Sequence, residues 1–142
     1  MLSWPTTDSN KGTAMNKLHN PKTVAAPVGA YSHAVEVPAG ARWLHIAGQV
    51  GVRADGTVAK GAEAQCEAIW QNITAILAAA GMGVRDLVRI NTFLVRPEDV
   101  AVARTVRAKF LEDHLPASTL LVVSRLASPD YLMEIEAVAA KA

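Results

Sequence analysis

Residues Leu132 to Val138, reading Leu-Met-Glu-Ile-Glu-Ala-Val, admit very few folded environments. The alternation fits a strand, whose successive side chains point to opposite faces, so Met133 and Ile135 share one face and Glu134 and Glu136 the other. An unpaired buried carboxylate is costly. The strand must therefore seal a core on one side and turn its acids toward an edge, a subunit contact or a site on the other. Upstream, Leu120 to Val123 is a second apolar β-like run, set apart from the first by a Ser128-Pro129-Asp130 turn.

The rest of the chain supplies what such a strand packs against. Ala30 to Val37 and Arg42 to Ala47 predict two strands joined as a hairpin through Pro38, Ala39 and Gly40, with Gly48 breaking the second. Ala62 to Ala80 predicts a helix. Its apolar stripe is Cys66, Ile69, Trp70, Ile73, Ile76, Leu77 and Ala80, its polar side carries Glu63, Gln65, Glu67, Gln71 and Thr74, and Gly81 stops it. Leu87 to Val95 is a strand by its β-branched content. Pro97, Glu98 and Asp99 open a second helix with Val100, Ala103, Val106, Phe110 and Leu111 on one face, ending before Pro116. The order β, β, α, β, α, β, β predicts an α+β domain with two helices on one face of a mixed sheet. Copies of the chain are the simplest cover for the other face.

Length and charge narrow the function classes. A chain of 142 residues fits one domain. Met1 to Ala14, rich in Ser, Thr, Pro, Asn and Gly, predicts a flexible extension, which leaves 15–142 as the single domain. A formal net charge of +1, with no Lys or Arg cluster beside stacking aromatics, argues against nucleic acid as a partner. The lone cysteine, Cys66, cannot form an intramolecular disulfide, lies on the apolar stripe of a helix and reads as a core thiol in a reduced, cytoplasmic setting. No apolar run approaches the roughly 20 residues of a membrane span, and no charged-then-apolar leader is present. His19, His33, His45 and His114 show no metal-ligand spacing, so no metal is expected.

Several short runs then act together: Pro27, Gly29, Tyr31 and Ser32 in PVGAYSHA; Ala47, Gly48 and Gln49 in IAGQV; Ala79, Ala80 and Gly81; the Pro116-Ala117 pair; and Glu134 to Ala137. In this order and spacing they resemble the RidA/YjgF family of enamine and imine deaminases, over about Pro27 to Ala140. The resemblance implies a chorismate mutase-like (RidA-like) fold, a homotrimer with sites in the clefts between subunits, and a small-molecule ligand. The reaction it implies is hydrolysis of 2-aminoacrylate or other 2-imino acids to 2-keto acids and ammonia, with no metal or organic cofactor.

By the same resemblance Glu134 positions water, Gly48 offers a backbone N–H near the reacting centre, and Tyr31 and Ser32 stand at the cleft mouth. The family's carboxylate-binding arginine directly follows the Pro-Ala pair, where this chain has Ser118. A serine offers one neutral donor in place of a charge-assisted fork roughly twice as strong per bond, so weak binding of simple 2-imino acids follows. Arg104, where the family commonly has an asparagine, is the candidate to return a guanidinium to the cleft. Glu136 has no implied chemical role and is expected in a structural ion pair. Two rival readings remain: a binding or regulatory trimer without deaminase activity, which Ser118 favours, and an endoribonuclease or translation-inhibitor role attached to relatives, against which the near-neutral charge stands.

Overall fold

In chain order the elements are β1 (Lys17–His19), β2 (Ala34–Glu36), β3 (Arg42–Val50), α1 (Ala62–Ala79), β4 (Leu87–Leu94), α2 (Val100–Leu111), β5 (Ala117–Val122) and β6 (Met133–Lys141). The computed structural model describes residues 15–142, and the extension expected at 1–14 lies outside the described residues. Four strands form one sheet in the order β3-β6-β4-β5, with β6 antiparallel to both neighbours and β5 parallel to β4. The expected alternation in β6 holds along its length: Met133, Ile135, Ala137 and Ala139 are buried, while Glu134, Glu136 and Val138 on the other face are half-buried.

Both helices cover the same face of this mixed sheet, as the element order predicts. Cys66, Ile69, Trp70, Ile73 and Leu77 of α1 and Ala103, Val106 and Leu111 of α2 close over Ile46, Ile90, Leu94 and the buried side of β6. Trp70 and Phe110 stack between the helices with ring centroids 6.0 Å apart. No helix lies on the opposite face among the described residues. There Trp43 stacks on His45 and stays 55% exposed, on the side that also carries Phe93, Glu134, Glu136 and Val138. No helix of the described residues is long and apolar enough to cross a membrane.

Several local expectations give way to tertiary structure. The hairpin through Pro38 to Gly40 does not form: β2 pairs with β1 in a separate two-stranded sheet, while β3 pairs with β6. Pro38 has no N–H to give a ladder, and β3 and β6, nine residues each, match along almost their full lengths. The strand expected over 30–37 shortens to Ala34–Glu36, and β1 is too short to show a period. Gly48 does not end β3. The strand continues to Val50 through a bulge in which Ala47 and Gly48 stand between the pairs Ile46–Ala137 and Gln49–Ile135. Pro97–Asp99 is a 3-10 turn, and α2 starts only at Val100, because Asp99 is held by a two-pronged contact with Arg96 at 2.8 and 3.0 Å and caps no helix.

Gln65 is the largest departure from the helical pattern. Spacing puts it on the polar side of α1, yet it is only 2% exposed. Its Nε2 donates to the carbonyls of Ala59 at 3.1 Å and Asp130 at 2.8 Å, and its Oε1 accepts from the Leu132 N–H at 2.8 Å. One amide thus ties the loop before α1 and the loop before β6 to the helix. Gly51 makes room for it, since a Cβ there would stand 2.5 Å from the Gln65 Cβ. Cys66, next in sequence, is sealed in the core, and burial pushes its thiol from 9.0 up to about 12.

Three outcomes follow from these contacts. Gln65→Ala leaves an N–H and two carbonyls unpaired in the interior and should lower the unfolding free energy by about 2–4 kcal/mol, read by urea titration. For Cys66 the folded chain keeps its proton where the unfolded chain has lost it, so this contribution to stability is complete below pH 9.0 and falls as pH rises toward about 12. At about pH 8 a thiol reagent should titrate this cysteine only after denaturation.

Candidate functional site

The residues singled out by the sequence fall into two groups on opposite faces of the sheet. On the helix side, Ser118 stands in β5 beside the buried Ile90 of β4, and Arg107 of α2 reaches across to it. The Arg107 Nη1 donates to the Ser118 Oγ at 3.3 Å. A cavity of about 240 Å³ opens here, lined by Val28, Gly29, Tyr31, Arg104, Arg107, Ser118 and Leu120. Arg107 is only 8% exposed. Burial first, and then the charge of Arg104 one helical turn away, lower its pKa from the usual arginine range. Among the described residues no carboxylate forms an ion pair with Arg104 or Arg107.

Tyr31 and Ser32 are neighbours with different surroundings. Tyr31 lines the cavity, its hydroxyl accepting from the Val28 N–H at 3.4 Å and its ring meeting His33 edge-on. Ser32 does not line it. It is buried at 1% exposure, donates its N–H to the Pro116 carbonyl at 3.1 Å, bridges Ala117 and takes a long hydrogen bond from Asn20 at 3.4 Å. These bonds pin the 27–33 loop to the start of β5 and so set Tyr31 beside Ser118.

The second group lies on the open face. Gly48, in the β3 bulge, sits under the Glu134 carboxyl: a Cβ at this position would stand 2.7 Å from Glu134 Cδ and 2.9 Å from its Oε1. Gly48 is not among the glycines with positive φ, so it is required for room rather than for backbone freedom. Glu134 itself is registered between Val50 of β3 and Phe93 of β4. Among the described residues Glu136 makes no ion pair, contrary to expectation; its Oε1 accepts from the neutral Asn91 amide at 3.0 Å, beside an open-face cavity of about 380 Å³ that also takes in His45 and Arg89.

Within one chain the acid and the cationic pocket therefore face apart. Arg104, Ser118 and Tyr31 are brought together, Glu134 and Gly48 are brought together, and the sheet stands between the two sets. Arg107 is the residue that sequence reasoning passed over. Its signal was present: it interrupts the apolar side of α2 between Ala103 and Phe110, just as the glutamates interrupt β6. No group of three His, Cys, Asp or Glu side chains among the described residues could hold a metal ion.

Set against known proteins, residues 22–141 match the sequence model of the family described as Endoribonuclease L-PSP. A RutC family protein of Pyrococcus horikoshii is 36% identical over 117 residues, which cover 81% of this chain and 90% of that one. A Salmonella typhimurium protein named 2-iminobutanoate/2-iminopropanoate deaminase is 30% identical over 131 residues, 89% of this chain and 99% of its own. Among solved structures, a protein of unknown function of the conserved Rid family from Yersinia pestis superposes with a TM-score of 0.80 at 36% identity, over 89% of this chain and 98% of that one.

The contact at Gly48 gives a direct test. In Gly48→Ala the new methyl meets the movable end of Glu134 and not the backbone, so the melting temperature should change little while the carboxyl swings off the bulge, as a crystal structure of the variant would show.

Proposed function

The chain belongs to the RidA/YjgF family, whose sequence model carries the description Endoribonuclease L-PSP, and from that membership we propose that it assembles as a homotrimer whose intersubunit clefts bind small 2-imino and 2-keto acids and hydrolyse reactive enamines and imines. The observation that carries this reading is the split site: a carboxylate on the open face and, on the helix side, a cationic pocket with no ion-pair partner among the described residues, neither sufficient alone. A second copy laid against the open face supplies the missing half and covers the exposed Trp43 and half-buried Phe93. The name of the Salmonella relative points to the same chemistry.

In this reading the helix-side pocket, with Tyr31, Arg104 and Ser118, holds the substrate carboxylate, and Gly48 and Glu134 of a neighbouring copy stand over C2. An enamine first takes a proton at C3 to become the imine. Glu134 then accepts a proton as water adds to C2, giving a carbinolamine. That proton passes on to nitrogen, and the C–N bond breaks as the carbinolamine hydroxyl gives its own proton to Glu134, leaving the 2-keto acid and ammonia. Glu136, occupied by Asn91, supports the strand. A reduced, cytoplasmic setting suits this chemistry and the buried thiol.

The second reading, a binding or regulatory trimer, rests on Ser118 in the arginine position. The two separate in one assay. With 2-aminoacrylate or a longer 2-imino acid generated in situ, wild type should accelerate keto-acid release and Glu134→Gln should slow it by about 10²–10⁴-fold. Wild type that binds 2-keto acids but releases none from imines supports the binding role. Inert wild type that cleaves RNA overturns both.

A further inference from the structure

We propose that Arg107, seconded by Arg104, is the carboxylate anchor of the cleft, and that this pair suits it to small acids bearing two carboxylates. The inference rests on the cleft reading above. Its starting point is a buried cation with which no carboxylate among the described residues forms an ion pair. Arg107 carries five N–H donors at 8% exposure, and the side-chain partner in hand is one neutral hydroxyl at 3.3 Å. A guanidinium kept in the interior only for packing is readily replaced by an apolar side chain of similar volume, often with a gain in stability. One that faces a cavity of about 240 Å³ shared with a tyrosine and a serine is placed to receive a carboxylate through two parallel bonds.

Ser118 takes on a different meaning in this light. The guanidinium of Arg107 lies over its hydroxyl, where an anchor rising from strand position 118 would begin. The cation has moved from the strand to the helix, and a small residue at 118 is what lets it lie against β5. Arg104 enters the same cavity from one helical turn earlier, and its charge disfavours the charged form of Arg107. A single carboxylate relieves one of the two cations. Two carboxylates on a short chain relieve both, so a 2-keto or 2-imino dicarboxylic acid should be preferred over a monocarboxylic one.

The test is calorimetric titration of the full-length protein with 2-oxoglutarate and 2-oxobutyrate, alongside thermal melts and sedimentation. Wild type should bind 2-oxoglutarate at least about tenfold more tightly. Arg107→Met should weaken both acids by about 100-fold or more while melting no lower than wild type, and the double variant Arg107→Met with Ser118→Arg should regain 2-oxobutyrate. Arg104→Ala should bring the two affinities close together. Arg107→Gln keeps the bond to Ser118 without the charge, so a folded Arg107→Gln that binds as wild type overturns the proposal. Arg107→Met that dissociates the assembly overturns it as well, since the guanidinium would then serve a subunit contact. If neither Arg107 variant folds, an unchanged preference in Arg104→Ala overturns it and a lost preference supports it. Deamination is scored separately: binding through Arg107 without keto-acid release refutes hydrolysis and keeps the anchor, and a deaminase indifferent to Arg107 does the reverse.

Discussion

Strand β6 is hydrogen-bonded along both edges, and that single constraint fixes the two faces of everything around it. Held between β3 and β4, it cannot turn to spare its carboxylates, because any rotation would lift Met133, Ile135 and Ala137 out of the core. The apolar side accordingly collects both helices, and the acid side is left to whatever meets the sheet from outside. The β3 bulge is a local answer to the same constraint. It admits the Glu134 carboxyl over Gly48 without breaking the ladder on either side.

Position in this molecule is set largely by polar groups that have been taken out of water. Gln65 fastens two loops to α1 and so fixes where β6 begins, and Ser32 fastens the 27–33 loop to the start of β5. Both satisfy their neighbours' backbone groups, which is why they can be buried. Arg107 differs in kind. Its burial leaves donors in excess of acceptors, and it shares its cavity with a second cation.

What could be read from the sequence was what local periodicity carries. The faces of β6, the stripe of α1, its stop at Gly81 and the two-helix cover all follow from spacing within one element. The partners of each strand do not: β2 resembles any short strand, and nothing within it says that Lys17–His19 is its neighbour and not β3. Likewise β5 and β6, adjacent in sequence, are separated by β4 in the sheet. Gly48 reads as a strand breaker until Glu134, far along the chain, is seen to need its missing side chain. Spacing puts Gln65 on the solvent side of α1, where an amide usually goes, and Arg107 draws no notice within α2; only the packed structure shows that both are buried.

The sealing of Cys66 has a chemical consequence of its own. Under the proposed function the cleft receives 2-imino acids, whose C2 is an electrophilic carbon that a thiolate could attack in place of water. The chain has one sulfhydryl group, and helix α1 presses it into the core with its proton held to about pH 12. With the thiol sealed in this way, the protein offers such a ligand no nucleophilic sulfur of its own.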